Sequence, residues 1–269
     1  MAPGGSATPS SITMLWTCAE SMSFQDHFSD RAGGYAAYRP RYPEALFAWL
    51  AGACRSREVA WDCATGNGQA ACGLAGHFGR VIATDASAAQ IENATPGPGV
   101  EYRVAPAEAC GLPDRSVDLV TVAQALHWVD RPRFYREAHR VGRPGALLAC
   151  WMYHLVRSGP TVDPIIDRFY QDVVGPYWPG ERALIDQQYA TIEFPAPELE
   201  APRITMTANW TLPQLIGFLG TWSAVSRYLA ARGHDPVALI VADLEGAWGN
   251  PSELRELRWP VSLRVARLN

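Results

Sequence analysis

Between Val59 and Met152 the chain alternates short apolar runs with helix-length segments, and this rhythm constrains the fold more than any other feature. The strand-like runs are Val59 to Cys63, Arg80 to Asp85, Val100 to Val104, Val117 to Ala123 and Ala146 to Met152. Between them lie Asn67 to Phe78, Ser87 to Ala94 and Pro132 to Val141. Short apolar strands separated by helices are the pattern of a parallel sheet covered on both faces. Right-handed crossovers then leave an α/β, doubly wound, mostly parallel arrangement as the expected fold class. A chain of 269 residues with 48% hydrophobic content is long and apolar enough to fill the core such a sheet requires.

Beyond Trp151 the rhythm changes. Residues 160–202 are rich in proline and aromatics, with one helix expected over Pro164 to Val174, and Leu212 to Leu219, Trp222 to Ala231 and Pro236 to Ala247 read as helices, Pro213 and Pro236 suiting first-turn positions. Two strand candidates remain, Arg203 to Trp210 and Trp259 to Leu268, and Pro260 argues for an edge or strand-start position in the second. Residues 153–257 are therefore expected to form an inserted helical cap, with 258–269 returning to the sheet as a strand. Residues 1–22 contain Gly, Ser, Thr and Pro with no Lys or Arg, and their apolar stretch is too short and broken for a signal sequence or a membrane span, so they read as a disordered leader. The main nucleotide-binding domain is expected over 23–152.

Composition narrows the partners. The net charge is −4 and charged residues make up 19%, so no basic field recommends nucleic acid or an anionic membrane, and a small-molecule substrate fits better. Six scattered cysteines without a CxxC pair suggest neither zinc nor a disulfide framework and point to a cytoplasmic setting, while His139, His154 and His234 lack metal-ligand spacing; no metal is expected.

The sharpest local motif is Asp62-Cys63-Ala64-Thr65-Gly66-Asn67-Gly68, where a strand gives way to a helix. Glycines there let the backbone turn tightly and approach a ligand. Asp85 closes the next strand 23 positions after Asp62, near the spacing of about 20 at which an acidic side chain meets ribose hydroxyls. A Gly-x-Gly turn alone is equally compatible with a plain strand–helix connection. Ala71 and Cys72 stand where the dinucleotide fingerprint places its third glycine, which disfavours a nicotinamide or flavin enzyme.

In order along the chain, these motifs resemble those of class I S-adenosylmethionine-dependent methyltransferases. Asp62 to Gly68 is similar to the first motif, Asp85-Ala86-Ser87 to the second, and Ala107-Glu108 with Leu112-Pro113 to the loop beside adenine. Asp118 to Trp128 is similar to the fourth strand and following loop of the methyltransferase type 11 or trans-aconitate methyltransferase-like subgroup, and Arg140 to Ala146 to the turn into strand five. The resemblance covers residues 24–153 well and the rest weakly. It implies a Rossmann-like seven-stranded sheet binding S-adenosyl-L-methionine. Asp62 and the backbone of Ala64, Thr65, Gly66, Asn67 and Gly68 would hold the methionine part and Asp85 the ribose. Ala86 and Gln90, with Ala107 and Glu108 opposite, would flank adenine, and Gln124 and Ala125 would complete the cofactor site. Many relatives carry an Asp where this chain has Pro106, which leaves the contact to the adenine amino group open.

Ahead of the first strand, Tyr35, Tyr38 and Arg39 resemble the amino-terminal helix that lids the cofactor in this subgroup. Tyr35 is assigned to the cofactor, and Tyr38 and Arg39 to catalysis, since a guanidinium can fork onto a carboxylate of cofactor or substrate. A surface helix with its Tyr packed on the sheet is the bland alternative, and it is preferred for Tyr42. His127 and Trp128 follow a strand's carboxyl end, where open α/β sheets place their ligands. His127 is a candidate general base, against the alternative of a cofactor-edge or supporting hydrogen bond, because methyl transfer needs little beyond alignment. Trp128, Trp151, Tyr153 and Trp222 are the candidate walls of the substrate pocket, although such aromatics more often serve the core.

Three readings stay open: a methyltransferase acting on a small acceptor through a carboxylate or hydroxyl, a cyclase or cofactor-modifying enzyme on the same fold, and a non-catalytic nucleoside-binding module. Amino-group methylation of bases is disfavoured because Gln124-Ala125-Leu126-His127 stands in place of an Asn/Asp-Pro-Pro-aromatic loop. The aromatic cap is suited to pairing with a second copy, so a homodimer is compatible with the sequence.

Overall fold

The computed structural model describes Met1 and residues 39–268; the expected leader and the candidates Tyr35 and Tyr38 lie outside the described residues. Seven strands form one sheet in the order β3-β2-β1-β4-β5-β7-β6. They are β1 (Val59–Cys63), β2 (Arg80–Asp85), β3 (Val100–Val104), β4 (Val117–Ala123), β5 (Gly142–Tyr153), β6 (Ile204–Trp210) and β7 (Arg255–Arg267). The first five pair in parallel, and β7 runs antiparallel to both of its neighbours, β5 and β6. The Rossmann-like α/β expectation holds. The order reverses between β1 and β4, which opens a crevice at their carboxyl ends.

The helices are α1 (Glu44–Ala53), α2 (Gln69–Ala75), α3 (Ala88–Glu92), α4 (Arg131–Val141), α5 (Asp163–Arg168), α6 (Arg182–Asp186), α7 (Leu212–Gly220), α8 (Ser223–Arg232) and α9 (Val241–Trp248). Helix α1 has no counterpart in the sequence expectations. Its Leu46, Phe47 and Leu50 pack with Leu74 of α2 and with Val81, Leu119 and Trp151 on one face of the sheet. The opposite face carries Trp61, Val120, Leu148 and Cys150 against Phe134 and Ala138 of α4 and against Tyr189 and Ile192. A third cluster fills the region after β5, where Phe169, Leu215, Phe218, Trp222, Leu244 and Trp248 meet Met206 of β6 and Leu257 and Trp259 of β7.

Three local departures have physical reasons. The expected helix Pro164 to Val174 is α5 continued by a wide π turn, Phe169–Val173. The stretch from Pro236 divides into a 3₁₀ turn, Pro236–Leu239, and α9. Pro260 lies inside β7, an interior strand, opposite Thr205 of β6. A residue's N–H and C=O point to the same side of a strand, and the Pro260 carbonyl accepts from His154 N–H at 2.8 Å. The missing donor therefore faces His154, just past the end of β5, and only the return bond of that one pair is absent.

At the amino ends of the strands Asp118 acts as a clamp. Its Oδ2 accepts the N–H groups of Glu58 and Val59 at 2.8 and 3.0 Å, and its Oδ1 accepts from Arg143 at 2.9 Å. Glu137 on α4 does the same for the β3–β4 connection, accepting Cys110 N–H at 2.8 Å and two guanidinium nitrogens of Arg140 at 2.7 Å each. The Arg140 guanidinium holds the Glu137 carboxyl down at about 2. Its contribution is thus complete above the ordinary glutamate range and fades as pH falls towards 2. Glu137→Gln is expected to cost about 1–2 kcal/mol at neutral pH, with wild type and variant converging as pH drops through about 4 to 2. Urea titrations across that pH series check it, and a pH-independent difference would refute the charged contribution.

Candidate active site

The crevice is built by the turn that follows β1. Ala64, Gly66 and Gly68 all adopt positive φ, at 53°, 57° and 83°. Ala64 holds there against the preference of residues with a Cβ. At Gly68 a second constraint acts, since a Cβ would fall 2.1 Å from the Tyr102 hydroxyl. The turn is tied down by Thr65 N–H donating to the Thr84 carbonyl at 2.9 Å and Gly68 N–H donating to the Thr65 carbonyl at 3.0 Å.

Two buried carboxylates frame this turn. Asp62, fully buried at the end of β1, accepts hydroxyl bonds from Thr65 at 2.5 Å and from Thr121 of β4 at 2.7 Å. Burial pushes its carboxyl up to about 6, against the opposing effect of the two threonines. Asp85, at the end of β2, accepts Gly66 N–H on Oδ2 and Ser87 N–H on Oδ1, both at 2.9 Å. One side chain thereby holds the loops after β1 and β2 together. The Ser87 hydroxyl in turn accepts Gln90 N–H at 3.3 Å and caps α3, which sets the Gln90 side chain over the face of Gly66, with its Oε1 3.8 Å from where a Cβ would stand. Ala86, between the two, is part of the same bend.

The loop after β4 closes the other side. Because Cys63 of β1 is in register with Val122 of β4, Gln124 leaves β4 at the same carboxyl edge as the turn that follows β1. Gln124 turns through φ 59°, donates its backbone N–H to the Trp151 carbonyl at 2.8 Å, and buries a side-chain Nε2 that has no hydrogen-bond partner. A buried amide donor of this kind is costly unless an acceptor meets it, so the crevice suits a polar ligand. Ala125 packs into the core below, and His127 is buried with its Nδ1 2.8 Å from the Tyr189 hydroxyl and its ring 4.7 Å from that of Trp128. Burial, then Arg182 and Arg131, press the His127 ring down to about 3, so it is neutral.

The remaining sequence candidates are distributed. Ala107 is buried in the core beneath the loop, and Glu108 accepts Asp130 N–H at 2.8 Å ahead of α4. Trp151 is fully buried, set edge-on to Tyr42 at 5.5 Å between sheet and α1. Trp222 belongs to the aromatic cluster of the cap, stacked on Phe169 at 5.8 Å and beside Trp178 at 5.7 Å. Arg39 reaches the Tyr153 hydroxyl at the end of β5 and lies 5.7 Å over the Phe218 ring of α7, joining the amino-terminal segment, sheet rim and cap. Thr121, Tyr102 and Tyr189 are participants that the sequence did not reveal. A threonine in a strand and a tyrosine in a proline-rich stretch carry no motif, and only register or tertiary contact brings them to the site.

Comparison with known proteins agrees with this arrangement. A family profile described as a methyltransferase domain matches residues 61–150, the span from β1 to β5. A Dictyostelium discoideum protein named as a methyltransferase is 32% identical over 251 residues, covering 91% of this chain and 95% of its own length. An uncharacterized methyltransferase of Mycobacterium tuberculosis is 35% identical over 122 residues, covering 45% of this chain and 49% of its own. Among solved structures, one described as a type II methyltransferase from Anaeromyxobacter dehalogenans superposes with a TM-score of 0.82 at 46% identity, covering 86% of this chain and 98% of that one. With near full-length similarity and the acid-framed glycine turn at the sheet's switch point, the chain belongs to the class I S-adenosylmethionine-dependent methyltransferases.

Proposed function

We propose that the chain methylates a small acceptor through an oxygen of a carboxylate or hydroxyl, in the space between the β4 and β5 carboxyl ends and the aromatic cap. The observation that carries this reading is the placement of Arg39, a guanidinium held at the junction of sheet rim and cap by Tyr153 and Phe218. The aromatic surroundings of that junction favour a small, partly apolar molecule over a polymer.

The residues fit S-adenosyl-L-methionine. Asp85 would accept the ribose hydroxyls, the Ala64 to Gly68 turn and Asp62 would hold the methionine end, Gln90 and Ala86 would border adenine, and the orphaned Gln124 amide would gain an acceptor. When bound, the cofactor supplies a methyl group already activated on a sulfonium. The protein's share is to align the acceptor oxygen and to exclude water, which is where most of the acceleration arises. Trp128, Tyr153 and Trp222 are proposed to shape the acceptor side of that space. Trp151 is proposed to brace β5 from beneath, and its buried Nε1 has no hydrogen-bond partner.

Calorimetric titration with S-adenosylmethionine, S-adenosylhomocysteine and NAD, followed by mass spectrometry of small carboxylic acids incubated with protein and cofactor, tests the reading. Binding of the first two with a gain of one methyl on an acid is expected; binding of NAD alone would overturn it. Asp85→Ala is expected to weaken both adenosyl ligands by on the order of 1–3 kcal/mol, and an unchanged Kd would remove Asp85 from the site. Asp62 carries its charge only above its raised value of about 6. Binding of the cationic cofactor should therefore weaken as pH falls below that point, by up to about tenfold per pH unit, and Asp62→Asn should abolish this dependence. A wild-type Kd flat from pH 7 to 5 would dissociate Asp62 from the cofactor's cationic end.

A further inference from the structure

The segment after α6 is bent with unusual effort to bring one tyrosine to His127. Gln188 and Tyr189 both have φ 57°, a left-handed pair that side chains with a Cβ rarely adopt. The bend is fastened at both ends. Tyr189 N–H donates to the Leu184 carbonyl at 2.8 Å, and Arg264 of β7 donates through one nitrogen to the Tyr189 and Ile192 carbonyls at 2.7 and 2.8 Å. Glu198 holds the same guanidinium from the other side at 2.6 and 2.9 Å. The result is a fully buried Tyr189 whose hydroxyl meets His127 Nδ1 at 2.8 Å.

The direction of that hydrogen bond follows from counting donors. A phenol has one O–H to place, and a buried hydroxyl proton without an acceptor is costly. Among the described residues His127 Nδ1 is the acceptor the Tyr189 hydroxyl meets. The tyrosine therefore donates to Nδ1. The ring is neutral, flanked by the cations Arg131 at the start of α4 and Arg182 on α6 and faced by Tyr189, so its one proton resides on Nε2.

We infer that His127 works as a neutral Nε2–H hydrogen-bond donor to the non-reacting oxygen of a carboxylate acceptor, and that Tyr189 is the positioning residue that selects this tautomer. This deepens the function proposed above and rests on it for its catalytic half. A ring whose Nδ1 is occupied and whose Nε2 already carries a proton takes none from the acceptor. The acceptor must then arrive ionised, which selects carboxylate over a neutral hydroxyl: one O–C bond forms, one C–S bond breaks with its electron pair left on sulfur, and no proton changes hands.

The test has a spectroscopic arm independent of turnover. In full-length protein labelled with ¹⁵N-histidine, with the His127 signals assigned by their loss in His127→Gln, Nε2 is expected to carry the proton and Nδ1 to lack one from pH 8 to pH 5, and Tyr189→Phe is expected to lose this single-tautomer signature. Kinetically, Gln can present an N–H near the Nε2 position whereas Asn presents one near Nδ1. His127→Gln should then keep kcat within about tenfold while His127→Asn falls by about a hundredfold or more, and wild-type kcat should show no acid limb in the ordinary histidine range. A proton on Nδ1, or an acid limb near pH 6.5 that disappears in His127→Gln, would overturn the inference in favour of a general base. An Nε2–H ring in a protein that methylates no acid would uphold the tautomer and remove the carboxylate-acceptor reading instead.

Discussion

A buried carboxylate is tolerated only when each of its oxygens is met by a donor, and this requirement organises the carboxyl edge of the sheet. Asp85 satisfies it by taking one backbone N–H from the loop after β1 and another from the loop after β2. Asp62 satisfies it with hydroxyls from its own loop and from β4. Three strands and their loops are thus held in register by two side chains, and the crevice between β1 and β4 exists as a shaped, acid-lined space instead of an open seam. Asp118 repeats the device at the opposite edge, where it ties β1 to β5 through Arg143 and has no access to the crevice. Residue type does not separate the acids at the crevice from the one at the opposite edge; the end of the strand on which each stands does.

The second half of the chain depends on the reversal of β7. Inserted antiparallel between β5 and β6, it extends the sheet past the crevice and presents Leu257 and Trp259 to the helices of the cap. The cap therefore rests on the sheet instead of hanging from a linker, and Arg39 spans the junction. The same strand supplies Arg264, which secures the strained turn carrying Tyr189. One strand thereby connects the cap, the buried histidine and the rim.

Legibility in the sequence followed the range of the interactions involved. The five parallel strands and the turn between Asp62 and Gly68 could be read because burial on both faces demands continuous apolar runs and because tight backbone turns demand glycine. Helix α1 went unread: its partners Leu74, Val81 and Leu119 are distant in sequence and no motif marks it. Trp151 looked like a rim residue from its place late in β5, yet the pleat turns it inward onto Tyr42, and a displacement of one residue along a strand reverses the face. Pro260 read as an edge residue, because a sequence does not show that the neighbouring strand ends where the missing donor would fall.

What the amino-acid sequence determined by itself was the α/β class, the order of strands and helices from β1 through β5, and the acids and glycines that shape the turn at the sheet's switch point, all consequences of local periodicity and backbone sterics. Only the tertiary structure decided the direction and place of β7, the union of Arg39 with the cap, and the pairing of His127 with Tyr189. Those depend on contacts between residues 45 to 179 positions apart, and no local pattern records which of many compatible long-range partners a buried polar atom will find.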